Sequence, residues 1–202
     1  MPKQLILAMG REFGSGGHLI AETLAQRFGI PLYENNMLRS IAETRDIDPT
    51  PLLPYDETPQ NPLFYRTVGS FNSSPSDALA QMQFRFLREQ ANAGKSFVVV
   101  GRCGEEVLRE FPGLISIFVL ADTEFKVTRL LELGAGSREE AIALMTQQDR
   151  KRKTYHNQYC RSKWGDSHTY DLCFKSSCLG LAASADLLEA YVRARIVTNG
   201  SK

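Results

Sequence analysis

The residues whose types and spacing suit a chemical task begin near the N-terminus, at Gly10, Arg11, Glu12, Phe13, Gly14, Ser15, Gly16, Gly17 and His18. They follow the apolar run Leu5 to Met9 and precede a helix-like segment from Leu19 to Phe28. Glycines let a backbone approach an anion without Cβ clashes, and the N–H groups of a loop and first helical turn converge on that anion with the helix dipole behind them. Phosphate is the ligand this order suits. The spacing departs from G-x-x-x-x-G-K-[ST], because Gly17 or a neighbour stands where lysine is expected and no Ser or Thr follows. A glycine-rich turn with no ligand has the same pattern. If phosphate is held, the lost lysine charge must come from elsewhere; Arg11 and His18 flank the loop, and Arg11 is the stronger cation because histidine is largely neutral at pH 7.

Further along, Arg102 follows the apolar run Phe97 to Val100, where a parallel sheet presents ligand-binding groups, and its planar fork suits bidentate phosphate binding. A surface ion pair is the plain alternative. In the run from Asp149 to Lys153, Asp149 and Arg152 are spaced to share one helix face, with Arg150 between them. Such a run is otherwise a solvated face. Other features carry less. Gly94-Lys95-Ser96 precedes a strand instead of following one and reads as a turn. His156, Cys160, His168 and Cys173 are zinc-capable, yet their spacings match no common structural zinc pattern. Trp164 suits packing under a loop or stacking on a base.

The elements that must position these groups alternate between strand and helix. Apolar runs at Leu5 to Met9, Phe97 to Val100 and Ile115 to Leu120, with a weaker one at Tyr170 to Phe174, predict strands. Helical periodicity fills Leu19 to Phe28, Asp77 to Asn92, Glu124 to Leu133, Ser137 to His156 and Ala183 to Val192. Continuous apolar strands imply burial on both faces and hence a parallel sheet in an α/β fold. Asp46 to Ser76 interrupts the alternation with Pro49, Pro51, Pro54, Pro59, Pro62 and Pro75, and reads as a substrate-facing insertion, a mobile lid or a plain spacer.

With 202 residues, 43% hydrophobic and 23% charged, the chain suits a single globular domain. A net charge of +1 argues against an overall fit to nucleic acid or an anionic membrane surface. No apolar run is long enough to span a bilayer, the N-terminus leads into a strand, and four cysteines without a C-x-x-C pair read as reduced thiols. These features together point to the cytoplasm and leave the oligomeric state open.

The loop from Gly10 to Gly17, the strand end Val98-Val99-Val100-Gly101-Arg102-Cys103, Asp149 with Arg152, and the later Trp164-Gly165-Asp166 and Tyr170-Asp171-Leu172 together resemble the cytidylate kinase-like family. The resemblance runs from about residue 4 to residue 180. It implies a three-layer P-loop nucleoside monophosphate kinase fold: a five-stranded parallel sheet, an acceptor-binding insertion at about 33–92 and a basic lid at about 149–166. The implied activity is ATP-dependent phosphoryl transfer to a nucleoside monophosphate, cytidylate first. Arg39 matches the arginine after the second strand that holds the acceptor phosphate, and Arg102 and Asp149 also face the acceptor. Arg11, Arg102, Arg150, Arg152 and Asp149 take the catalytic roles, and Gly10 and Glu12 to His18 hold ATP. Mg²⁺ accompanies ATP, with Ser15 and Glu12 as ligands directly or through water. The chain departs from the family where the loop lysine is absent, where Cys103 replaces aspartate after Gly101-Arg102, and where Met145 replaces the first lid arginine. A nucleotide-binding sensor with little catalysis and a kinase of a non-nucleotide phosphorylated metabolite are the other readings these departures leave.

Overall fold

The computed structural model describes residues 4–34, 37–45, 50 and 75–198. Its centre is β1 (Ile6–Arg11), six residues that are all buried. Leu7 and Met9 pack into one apolar cluster and Ile6 and Ala8 into another, so both faces of the strand are covered. The chain then runs through α1 (Gly17–Phe28), β2 (Leu32–Tyr33), α2 (Met37–Arg45), α3 (Pro75–Asn92), β3 (Phe97–Val100), α4 (Gly104–Val107) and β4 (Leu114–Leu120). It ends with α5 (Thr123–Glu132), α6 (Arg138–Tyr159), β5 (Leu172–Lys175), a 3-10 turn at Ser176–Cys178 and α7 (Gly180–Thr198).

The five strands are parallel in the order β2-β3-β1-β4-β5. β1 pairs with β3 on one side and β4 on the other, in register Ile6 with Phe97 and Ile6 with Leu114. The connections therefore leave β1 in opposite directions. Ligands of open α/β sheets bind at the carboxyl ends of strands flanking such a point, which here means the ends carrying Arg11 and Arg102.

On one face, α1 and α7 cover the sheet through Ile20, Leu24, Leu188 and Val192. On the other, Met37, Ile41, Phe84, Phe86 and Leu87 of α2 and α3 do so. A smaller cluster of Val127, Leu130, Ala141 and Met145 joins α5 to α6. Met145 is thus core at the place where the resemblance leads one to look for a lid arginine.

The strands expected at Phe97 to Val100 and Ile115 to Leu120 are present, the second starting one residue earlier. The expected Tyr170 to Phe174 strand is shifted, since Tyr170 and Asp171 precede β5. Helices α3, α6 and α7 extend past their expected ends. Of the proline-rich stretch, Pro75 and Ser76 begin α3 and Thr50 is described singly; 46–49 and 51–74 lie outside the described residues. Gly94-Lys95-Ser96 is indeed a turn: Gly94 adopts φ 72° at the end of α3, and Ser96 Oγ accepts from the Leu5 N–H at 3.0 Å.

Candidate active site

The loop after β1 closes tightly on itself. Gly14 and Gly16 adopt φ of 81° and 79°, a left-handed conformation open to glycine and costly for other residues. Ser15 is fully buried: its hydroxyl donates to the Glu12 carbonyl at 2.8 Å, accepts the Gly17 N–H at 3.3 Å, and its carbonyl accepts from Ser176 Oγ at 2.6 Å. A Cβ on Gly17 would sit 2.6 Å from Arg11 Cβ, so the helix starts as close to the strand as glycine permits.

No side chain caps α1 and no acid occupies its first turn. Among the described residues, the N–H groups of Gly14, Gly16, His18 and Leu19 make no hydrogen bond. Open donors at a helix start, unshared with any carboxylate of that helix, make an anion cradle. A hollow of about 260 Å³ lies over it, bounded by Phe13, Gly16, His18, Arg129 and Arg152.

Helix α6 reaches the same loop. Asp149 Oδ1 accepts the Phe13 N–H at 2.6 Å, Arg152 Nη1 donates to the Arg11 carbonyl at 3.3 Å, and the Arg152 guanidinium stacks 5.3 Å from the Phe13 ring centroid. Burial raises the Asp149 pKa, against the opposing pull of the Phe13 N–H and Arg152. The shared face expected of Asp149 and Arg152 is therefore turned onto the phosphate loop. The expected lid segment consists of the C-terminal half of this continuous helix and the turns after it. Arg150, on the same helix, is exposed, and so is Arg39 on α2.

Arg102 is the largest fully buried side chain, 1% exposed, at the end of β3. Gly101, Arg102 and Cys103 take φ of 72°, 56° and 53° in succession. Two consecutive non-glycine residues in the left-handed region cost on the order of 1–3 kcal/mol each, and persist where surrounding packing fixes them. Close packing continues at Gly104, where an added Cβ would lie 2.7 Å from Val99 Cγ1. This sharp turn places Arg102 in the wall of a cavity of about 240 Å³ at the carboxyl ends of β1 and β3.

Arg11, Lys151 and Arg152 share that cavity with Arg102, and Tyr155, Trp164 and Tyr170 supply its aromatic side. Arg11 is 6% exposed, and its Nε is buried with no hydrogen-bond partner among the described residues. Its Nη2 pairs with Glu34 Oε1 at 2.7 Å, and His18 Nδ1 lies 2.5 Å from Glu34 Oε2. The two local replacements foreseen for the missing lysine thus share one carboxylate partner. Trp164 packs edge-on against Phe118 with centroids 5.3 Å apart while lining the cavity, combining its two expected roles only as far as packing goes.

Glu12 does not offer itself to a metal. Its carboxylate pairs with Lys126 Nζ at 2.8 Å and accepts the Ala121 N–H at 3.3 Å. With Ser15 turned inward and Lys126 beside Glu12, the two residues as placed do not fit Mg²⁺, which needs exposed oxygens and is repelled by the ammonium group. Lys126, 8% exposed on α5, and Arg129, which donates to the Gly14 carbonyl at 3.0 Å, are the cations beside the loop that sequence reasoning missed. No motif marks them, because packing of α5 against the loop brings them there. Lys151, in a run whose sequence reads as a solvated face, also lines the cavity.

The far wall holds Glu105 and His156, with His156 Nε2 2.6 Å from Glu105 Oε1. Burial opposes charge on His156, yet hydrogen bonds to Cys160 and Glu105 outweigh it and raise the pKa to about 10. The hydrogen bond with Cys103, followed by that with His156, lowers Cys160 to about 7 against burial, while the same contact and burial raise Cys103. The zinc-capable set read from sequence is split: His168 is exposed beside Asp166 at 3.1 Å, and Cys173 lies on β5.

The sequence profile of the Cytidylate kinase-like family matches residues 6–178. The crystal structure of an uncharacterized protein from Eubacterium ventriosum ATCC 27560 is similar at 38% identity and TM-score 0.74, covering 94% of this chain and 99% of that one. Shikimate kinase from Bacteroides thetaiotaomicron shares the fold at 12% identity and TM-score 0.54, over 94% of this chain and 98% of its own. Shikimate kinase from Acinetobacter baumannii, in complex with shikimate, does so at 10% identity and TM-score 0.51, over 96% and 95%. No curated protein sequence matches the chain. Among the described residues, no helix is long and apolar enough to cross a membrane.

Proposed function

The chain belongs to the cytidylate kinase-like family, and from that premise we propose that it transfers a phosphoryl group from ATP to a nucleoside monophosphate, cytidylate first among them. The observation that carries the reading is the pairing of two sites across one strand end: an uncapped helix start with open N–H groups, and beside it a cavity walled by Arg11, Arg102, Lys151 and Arg152.

Phosphoryl transfer asks a protein to bring two anionic groups into line, offset their repulsion and keep water out. The loop from Gly10 to His18 holds the donor phosphates through backbone N–H groups. Arg102 grips the acceptor phosphate, its buried fork desolvated and held by a strained turn. Arg11 adds a second donor through its buried Nε. Arg152, between loop and cavity, faces the transferring group, and Asp149 is a positioning residue that fixes the loop by accepting the Phe13 N–H. Arg39, exposed on α2, and Arg150 take their proposed roles only when substrate approaches from that side. Arg129, beside the loop, supplies positive charge that a loop lysine gives elsewhere, while Lys126 is paired with Glu12. Mg²⁺ carried by ATP would be held by phosphate oxygens and water, since Ser15 and Glu12 are otherwise engaged.

A second reading, a kinase of a smaller phosphorylated or acidic metabolite, is favoured by the cavity volume of about 240 Å³, below the roughly 300–1,000 Å³ of most ligand pockets. An acceptor screen with ATP and Mg²⁺ separates the two. ADP release dependent on cytidylate, lost in Arg152→Ala with ATP binding kept, supports the first reading. Release with sugar phosphates or hydroxy acids alone supports the second, and ATP binding with no turnover on any acceptor overturns both in favour of a sensor.

A further inference from the structure

Glu105, His156 and Cys160 each offer one ligand atom, and these atoms all lie within 4.8 Å of one another. Two of the residues come from one element and one from another. His156 and Cys160 are one helical turn apart, at the end of α6 and its cap, while Glu105 stands in α4 immediately after the strained turn that carries Arg102. Glu105 and His156 line the cavity.

We propose that Glu105, His156 and Cys160 bind a single borderline-soft divalent cation of the zinc class, independently of the kinase reading. The donor set selects the metal: one thiolate and one imidazole are poor ligands for Mg²⁺ or Ca²⁺, which prefer oxygen throughout, and suit Zn²⁺ when joined by a carboxylate. The outer contacts are those of a ligand set. His156 Nδ1 lies 3.3 Å from Asn157 Oδ1, and Nε2, 2.6 Å from Glu105 Oε1 in this structure, would give up its proton to take the ion. Three protein ligands leave one tetrahedral position on the cavity side, where a water or an oxygen of the cavity's occupant completes the shell. The ion also ties α4 to α6, and so holds the Arg102 turn at a fixed distance from the helix that carries Arg152.

The test uses the full chain, freed of metal with a chelator under a phosphine reductant and titrated with Co²⁺. One Co²⁺ per chain is expected, with a thiolate-to-cobalt charge-transfer band, and Zn²⁺ should displace it one for one. Cys160→Ser should remove the band and weaken Zn²⁺ by more than about a hundredfold, Asn157→Ala should weaken it by about tenfold to a hundredfold, and Cys173→Ser should change neither. Glu105→Gln, which keeps the side-chain shape, serves where the cysteine variant fails to fold, and should lower Zn²⁺ affinity while circular dichroism stays native. Absence of stoichiometric cobalt binding in the wild-type protein, binding without a charge-transfer band, or a band that survives Cys160→Ser would overturn the site.

Discussion

Residues at this site are defined by what they displace as much as by what they contact. Gly16 is the sharpest case, because its φ of 79° and the Leu181 side chain facing its missing Cβ leave no room for a branched residue. A valine there is a genuine backbone outlier and would push the loop away from α7. Gly16→Val is therefore expected to lose more than about tenfold in ATP affinity by calorimetry while the fold is retained, since the helix start can no longer present its N–H groups together. Unchanged ATP affinity in the folded variant would remove the cradle from the account. Arg11, Glu34 and His18 show where residue types alone mislead. Arg11 and His18 look like open replacements for the missing lysine in sequence, but both are partnered by Glu34. Glu12 is the mirror image, an apparent metal ligand already neutralised by Lys126. Each pairing arises from packing of elements far apart in sequence, and no spacing rule announces it.

Helix α6 is the element on which the account turns. It has little apolar face beyond Ala141 and Met145 near its start, yet it carries Asp149, Arg152, Tyr155 and His156 to the loop and cavity, so its start needs more than core burial to hold it. A capping box does this: Ser137 Oγ accepts the Glu140 N–H at 3.2 Å, and the Ser137 N–H donates to Glu140 Oε2 at 2.7 Å. Ser137→Ala should lower unfolding free energy by about 1 kcal/mol in denaturant titration, with ATP affinity unchanged because the cap is at the end remote from Asp149. A loss of ATP affinity beyond the loss of stability would show that the cap sets the site. The C-terminal half of the helix and the turns after it, from about Asp149 to Asp166, should gain hydrogen-exchange protection when ATP and acceptor bind together, while β1 barely changes. Equal protection with and without ligands would make the segment fixed scaffold. The helix and its functional face were readable in advance, from periodicity and from the spacing of Asp149 and Arg152. β2, only two residues long, and α4, a single turn, are too short for periodicity to reveal, and they bring Glu34 and Glu105 to the site.

For the whole molecule, a parallel sheet follows from the sequence more directly than the chemistry does. Runs such as Val98 to Val100 leave no polar face, so the strands must be covered on both sides, and the glycine loop after the first run is the place where phosphate is expected. The cavity required the fold itself, because Arg11 and Arg102 become neighbours only when β1 and β3 pair with Met9 opposite Val100. The division of labour between the two sites is the central claim: the loop holds the donor and the Arg102 cavity holds the acceptor. Steady-state kinetics of Arg102→Ala and Arg102→Lys, with ATP and the acceptor varied in turn, test it most directly. Losing a buried charge-assisted contact of about 1.5–3 kcal/mol should raise the acceptor KM by about tenfold to a hundredfold, with lysine restoring little because it lacks the bidentate fork. The KM for ATP should move by less than about threefold over the same variants, a shift under about 0.7 kcal/mol. Equal increases for ATP and acceptor, or an increase for ATP alone, would contradict the account.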